Sequence, residues 1–243
     1  VTFNNPEKRN ALGVEGKQRF IDVITELRHD DTLRALVITG AGDKSFVGGS
    51  NLADMRHYTP ADGHTASTKT HYACDAVRNF PVPVIARING YCFGSGMEIA
   101  AAADMRVAAD HAKFGMPETR FGIPSGMEAA ILPRLIGWSR ASEIIFTGKT
   151  LTAAECEDMG LVSHVVNNNE VGERASMLAK EIAGRAPLAV QASKRMMRMG
   201  MNETFNDHVH HVFLQLLPLF QSKDFAEGMA SFMEKREAEF KGR

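Results

Sequence analysis

Ile88-Asn89-Gly90-Tyr91-Cys92-Phe93-Gly94-Ser95-Gly96-Met97-Glu98 is the stretch from which the rest of the chain can be read. It continues Val82-Pro83-Val84-Ile85-Ala86-Arg87-Ile88, a β-branched apolar run that reads as a strand closed by Asn89-Gly90. Pro83 lacks an N–H, which predicts a sheet edge or the first residues of that strand. Gly94-Ser95-Gly96 then opens a helix that runs on through Ile99 to Ala103, with Glu98 near its start. A second glutamate follows in Phe114-Gly115-Met116-Pro117-Glu118, ahead of Phe121-Gly122-Ile123-Pro124. Two carboxyl groups converging on one pocket could share a water, one taking its proton and the other supplying a proton to substrate.

Outward from this stretch, Arg34-Ala35-Leu36-Val37-Ile38-Thr39 reads as a buried strand ended by Gly40-Ala41-Gly42-Asp43. Val14 to Leu27 carries apolar residues at helical spacing, and Met105 to Ala108 and Ala112 to Gly115 read as short strands. Thr59-Pro60-Ala61-Asp62 predicts a helix start with proline at the first helical position. Thr152-Ala153-Ala154-Glu155 is a capping box, and Gly160 stops the short helix it opens. Helices are predicted over Val171 to Ala183, Leu188 to Met199, Asp207 to Leu217 and Phe225 to Phe240. Strands thus alternate with helices to about Val166, and helices follow, the pattern of an α/β core with a helical C-terminal part. The expected division is 1–186 and 187–243.

The 243 residues, 44% of them hydrophobic, suffice for a sizeable core without staples. A formal net charge of −1 argues against general affinity for nucleic acid or anionic membranes. Cys74, Cys92 and Cys156 are scattered and odd in number, with neither disulfide nor metal spacing, which suits a reducing compartment. No apolar run approaches a membrane span, and no signal-peptide pattern opens the chain. Val1-Thr2-Phe3-Asn4 reads as the end of a strand entering a turn, so preceding residues are expected.

A second glycine-marked segment, Phe46-Val47-Gly48-Gly49-Ser50-Asn51-Leu52, follows the first strand. Amides presented by this loop and by the Gly94-Ser95-Gly96 helix start could hold a developing oxyanion. Both segments also read as ordinary tight turns. Competing motifs fail on spacing. Gly94-Ser95-Gly96-Met97-Glu98-Ile99 has isoleucine where a dinucleotide fingerprint needs its third glycine. Lys44-Ser45 lacks the glycine that precedes the lysine of a phosphate loop. No Gly-x-Ser-x-Gly elbow is present.

Taken together, Asn5-Pro6-Glu7-Lys8-Arg9-Asn10-Ala11-Leu12, Phe46 to Met55, Ile88 to Glu98 and Pro117-Glu118 to Pro124 resemble the crotonase superfamily, the enoyl-CoA hydratases and isomerases. The resemblance runs to Phe232-Met233-Glu234-Lys235-Arg236 and so covers essentially the whole chain. It implies an α/β fold, a crotonase-like spiral of ββα units with a C-terminal helical trimerisation region, assembled as trimers or hexamers. It implies an acyl-CoA substrate, no cofactor beyond the coenzyme A of that substrate, no metal, and neither nucleic-acid nor membrane partners. Ser50 and Ser95 fall on the positions whose amides form the oxyanion hole, and Glu98 and Glu118 on the two catalytic carboxylates of the hydratases. Lys8, Arg9, Ala11 and Leu12 fall on the stretch that meets the CoA nucleotide. Phe232 and Lys235 fall on positions that contact CoA, in related enzymes often from a neighbouring subunit. An isomerase can run with one glutamate at the Glu118 position, so holding both favours hydration. The location implied is bacterial cytoplasm, or mitochondrial matrix where a transit peptide precedes Val1.

Departures from the family pattern keep alternatives open. Ser50-Asn51 stands where many members have Ala-Asp, which makes the acyl pocket more polar, and Ala53 replaces a lysine near the CoA phosphates. Glu128, ten residues after Glu118, is a candidate third acid, since dienoyl-CoA isomerases carry an extra acid in this region; otherwise it is a first-turn acid complementing a helix dipole. Isomerisation, or hydration of an unusual acyl group, is therefore the second reading. The third is a non-catalytic role such as RNA binding, through the basic face of Lys194-Arg195-Met196-Met197-Arg198. His208, His210 and His211 read as a solvated or interface helix, with only His208 and His211 on one face and no partner acid evident. His57 to His71 follows the first glycine loop, where relatives line the acyl tail.

Overall fold

A computed structural model describes residues 1–243. The elements run β1 (Thr2–Phe3), α1 (Val14–Leu27), β2 (Leu36–Gly40), β3 (Ser45–Val47), α2 (Leu52–Met55), α3 (Pro60–Arg78), β4 (Val84–Ile88), β5 (Tyr91–Phe93), α4 (Ser95–Ala102), β6 (Met105–Ala109) and β7 (Lys113–Gly115). They continue through α5 (Leu132–Ile136), α6 (Trp138–Thr147), β8 (Thr150–Thr152), α7 (Ala153–Asp158), β9 (His164–Val166), α8 (Val171–Ala183), α9 (Pro187–Gly200), α10 (Phe205–Leu216) and α11 (Lys223–Glu234). The chain forms two compact units. One comprises Val1–Asp31, Val37–Phe80 and Val84–Ser176; the other comprises Thr32–Leu36, Pro81–Pro83 and Met177–Arg243.

In the first unit the chain repeatedly lays a strand in a larger sheet, the next strand in a smaller sheet, and then a helix. The larger sheet has the order β1-β2-β4-β6-β9 and the smaller β3-β5-β7-β8. Pairing is parallel between β4 and β6 and between β3 and β5, whereas β7 and β8 are antiparallel. This is the ββα spiral. Phe46, Ile85, Ile88 and Phe114 are almost wholly buried in it, each contributing about 1.5–3 kcal/mol of apolar burial. Pro83 is not at an edge: β4 lies in the middle of its sheet and starts one residue later. The first amide of β4, Val84 N–H, goes instead to the Asp104 carboxylate at 2.8 Å, so the proline sits where no ladder bond is needed.

The capping box expected at Thr152 forms, and the helix start expected at Thr59 carries one as well. Thr59 accepts from the Asp62 amide while the Asp62 carboxylate returns to the Thr59 amide, and Thr152 and Glu155 do the same for α7. In the second unit three expectations are corrected. The last helix ends at Glu234 rather than Phe240, because Lys235 turns left-handed (φ 55°) and Arg236 pairs with Glu227 at 2.6 Å. The buried Asp224 then accepts the amides of Lys241 and Gly242 at 2.7 and 2.8 Å, which fastens the tail. Lys194 is not part of a solvated basic face: it is buried and donates to the Val82 carbonyl at 3.0 Å. The helical histidines do have a partner acid, Glu203, 2.9 Å from His211 Nδ1 and 3.5 Å from His208 Nδ1. No helix is long and apolar enough to cross a membrane.

Candidate active site

The site is assembled where three short segments of the first unit are held against one another. Buried Asn10 donates to the carbonyls of Ala41 (3.1 Å) and Ser45 (2.7 Å) and accepts from the Asn5 amide, so the N-terminal turn is fastened to the end of β2 and the start of β3. Arg9 and Asn10 take left-handed backbone conformations to do this. The Arg9 carbonyl accepts from Gly48 N–H, and Leu12 N–H donates to the Gly49 carbonyl at 2.9 Å. Leu12 thereby pairs with Ser50 in a parallel bridge. Lys8 ends the short 3-10 turn Pro6–Lys8 and accepts from Ala11 N–H, while the Arg9 guanidinium lies over the Tyr91 ring, 4.9 Å from its centroid.

The second segment is β5 with its turn into α4. Gly94 has φ 52°, a conformation that favours glycine. A Cβ there would also lie 2.9 Å from Glu118 Oε1 and 3.9 Å from the Gly49 Cα. A Cβ on Gly96 would overlap the Val47 carbonyl oxygen, so glycine alone lets α4 start this close to β3. The consequence is that the two serines meet, the Ser50 hydroxyl donating to Ser95 Oγ at 3.4 Å. Each serine heads a segment: Ser95 is the first residue of α4, and Ser50 immediately precedes Asn51, which caps α2.

Both glutamates border this junction. Glu98 is 4% exposed on α4, and its Oε1 is buried without a hydrogen-bond partner. Burial, then the charges of Glu118 and Glu128, raise its carboxyl from 4.5 to about 8; Lys17 and a bond from the Glu128 amide pull the other way. Glu118 sits in the 3-10 turn Pro117–Phe121, is raised by burial, and accepts from Ser125 Oγ at 3.3 Å. Gly126 gives Glu98 its room: a Cβ there would come 2.5 Å from Glu98 Oε1.

Glu128 is buried too, but it is not a free acid. Its carboxylate holds His71 Nδ1 at 2.5 Å and Arg78 at 2.6 Å, both from α3. The pair ties α3 to the turn whose amide supports Glu98. Leaving Arg78 and His71 without their buried partner removes a charge pair of the kind that costs about 3 kcal/mol to break. Glu128→Ala is therefore expected to lower the urea midpoint substantially, and Glu128→Gln by less; an unchanged midpoint in both would show that the pair holds nothing together.

The contacts of three residues had no signal in the sequence: His71 and Arg78, which reach Glu128 across 57 and 50 residues, and Lys17. Lys17 lies on α1, is 2% exposed, and donates to Ser50 Oγ at 3.1 Å. Phe232 and Lys235 stand in the second unit near the end of α11, Phe232 largely exposed and Lys235 left-handed.

Over residues 1–243 the sequence matches the family described as enoyl-CoA hydratase/isomerase. The chain belongs to that family. Among curated relatives, the short-chain-enoyl-CoA hydratase of Clostridium acetobutylicum is 34% identical over 245 residues, spanning all of this chain and 94% of that protein. The (E)-benzylidenesuccinyl-CoA hydratase of Thauera aromatica is 35% identical over 248 residues, with the same two coverages. Among solved structures, the enoyl-CoA hydratase of Bacillus anthracis superposes with a TM-score of 0.97 at 31% identity, over all of this chain and 94% of that one. The crotonase-superfamily resemblance and its fold are thus shown by both sequence and structure.

Proposed function

We propose that this member of the enoyl-CoA hydratase/isomerase family adds water across the 2,3 double bond of an enoyl-CoA thioester. The observation that carries the reading is the meeting of Ser50 with Ser95 beside buried Glu98 and half-buried Glu118, whose carboxyls are both raised. In this reading the Ser50 and Ser95 amides bind the thioester oxygen. As water attacks C3, electrons move from the double bond toward that oxygen, and two preorganised amides hold it more tightly as its charge grows. Glu98 takes the water proton, and Glu118 positions the water and delivers a proton to C2. No step requires a cofactor or metal. Both curated relatives described above carry hydratase names.

Lys8, Arg9, Ala11 and Leu12 are proposed to meet the CoA nucleotide, and Phe232 and Lys235 to contact the CoA held by a neighbouring subunit. The exposed apolar side chains of the second unit, among them Phe205, Leu214, Phe232 and Met233, support assembly into trimers or hexamers. A cytoplasmic or mitochondrial-matrix location fits the three unpaired cysteines.

The test is loss of the enoyl thioester absorbance of crotonyl-CoA on adding protein, with 3-hydroxybutyryl-CoA as product and no effect of a metal chelator. A second reading, double-bond isomerisation through Glu118, predicts turnover of 3-enoyl-CoA. The ion-paired state of Glu128 argues against a third acid in either. Turnover of 3-enoyl-CoA without hydration of crotonyl-CoA would reverse the order of the two readings.

A further inference from the structure

Lys17 has no part in the reaction just described, yet it is buried beside it. Taking an ammonium out of water costs several kcal/mol unless charges and hydrogen bonds compensate. The acceptors it meets are neutral, Ser50 Oγ at 3.1 Å and the Ala66 carbonyl at 3.4 Å. An uncharged side chain on the same face of α1 would avoid that cost, so the charge has a use other than packing.

Its hydrogen bonds show what that use is. An ammonium only donates, so Ser50 Oγ must accept from Lys17 and its own proton is left to point at Ser95 Oγ, 3.4 Å away. The direction of the chain Lys17 to Ser50 to Ser95 is thereby fixed, and its two hydroxyls belong to the two residues whose amides are proposed to bind the thioester oxygen. We propose that Lys17 is a positioning residue for the oxyanion hole, fixing the Ser50 and Ser95 side chains and holding a positive charge behind the oxygen that becomes negative. This rests on the hydratase reading above.

The charge environment is consistent with that placement. Burial lowers the Lys17 ammonium below its ordinary range, and Glu98 from α4, then Cys74 from α3, partly offset that lowering. Around Glu98 stand Glu118, Glu128 and Lys17, and the Glu128 charge is matched by His71 and Arg78. In a site of low dielectric a fixed cation interacts more strongly with an oxyanion than with a neutral carbonyl, which is the differential that raises kcat and leaves KM alone.

Lys17→Met tests this with crotonyl-CoA as substrate and acetoacetyl-CoA, which can present an enolate oxygen, as an activity-independent probe. A direct oxyanion donor is worth roughly 10²- to 10³-fold, so losing a cation that acts through a hydroxyl is expected to lower kcat roughly 10-fold with KM little changed. Acetoacetyl-CoA should bind correspondingly more weakly while free CoA binds as before. Loss of the cation should also let Glu98 keep its proton to higher pH, so the rising limb of kcat/KM moves to higher pH, an effect that loosened packing alone would not produce. Lys17→Gln, which keeps a donor without the charge, should recover part of kcat and leave the limb displaced. If both Lys17 variants fail to fold, Ser50→Ala cuts the chain while keeping the amide and should weaken acetoacetyl-CoA binding; unaltered binding overturns the proposal. A wild-type protein that hydrates crotonyl-CoA beside a Lys17→Met variant of equal kcat and pH profile overturns the proposal alone. A wild type that neither hydrates crotonyl-CoA nor binds acetoacetyl-CoA overturns the hydratase reading and this proposal with it.

Discussion

Glu98→Gln lowers kcat for hydration of crotonyl-CoA by roughly 10²- to 10⁴-fold, the usual contribution of a positioned general base. The substitution is nearly isosteric, and Glu98 Oε1 has no hydrogen-bond partner to lose, so the loss should reach the chemistry and not the fold. The pH profile gives the sign. A base works when ionised, and the Glu98 carboxyl is raised to about 8, so kcat/KM of the wild type should rise as pH increases through that region. In Glu98→Gln this limb should disappear from the residual rate. Steady-state rates from pH 5 to about 9, with circular dichroism as a check on folding, decide the matter. A variant with wild-type kcat would remove Glu98 from the mechanism. Glu118→Gln should be comparably slow, because the acid and the base act on one water; a double variant should then be little slower than either single one.

Much of the local structure around the candidate site is legible in the chain, and the reason is that its parts are decided locally. A glycine turn opening a helix, a threonine three residues ahead of an acid, and a β-branched run closed by Asn-Gly are decided by neighbours within a few residues. Gly94-Ser95-Gly96, Thr152-Glu155 and Val14 to Leu27 all behave as those rules say. What stayed hidden was non-local. The strands Ser45–Val47 and Tyr91–Phe93 are three residues long and are defined by their pairing within the smaller sheet; a glycine-rich loop is all that either shows by itself. Glu128 is a first-turn acid, of the 3-10 turn Met127–Ile131, but its partners lie on another helix and nothing local announces them. Lys194 reads as part of a basic helix face, and Lys17 gives no signal, because periodicity does not say which carbonyl or hydroxyl a buried ammonium will meet. The tail beyond Glu234 continued a helical pattern until Arg236 found Glu227 nine residues back.

The unusual carboxyl should also leave a mark on stability. A carboxyl raised from 4.5 to about 8 binds its proton more tightly in the folded protein than in the unfolded one. Between those values the folded state carries more protons, so stability falls as pH rises, and the contribution of Glu98 is complete below 4.5 and gone above about 8. At about 1.4 kcal/mol for each unit, the full span is on the order of 5 kcal/mol. The Val1 and Lys17 amines, both lowered by burial, act in the opposite direction and are shared by wild type and variant, so the comparison between the two proteins cancels them. The other shifted groups act in the same direction or outside this window. Glu118, also raised, adds to the fall. The surface carboxylates of Asp62, Glu155 and Glu227 are lowered, so they withdraw stability only as pH drops through the acid range. The buried thiols of Cys74 and Cys92 are raised from 9.0 and matter only above that value. Glu98→Gln has no proton to lose. Its melting temperature should decline less steeply than that of the wild type between pH 5 and about 8, and at the alkaline end the variant should be the more stable protein even though it is the poorer catalyst. Parallel melting curves for the two proteins across that range would show that Glu98 is not held protonated by its burial, and would remove the electrostatic basis for its use as a base that gains its proton from water near neutrality.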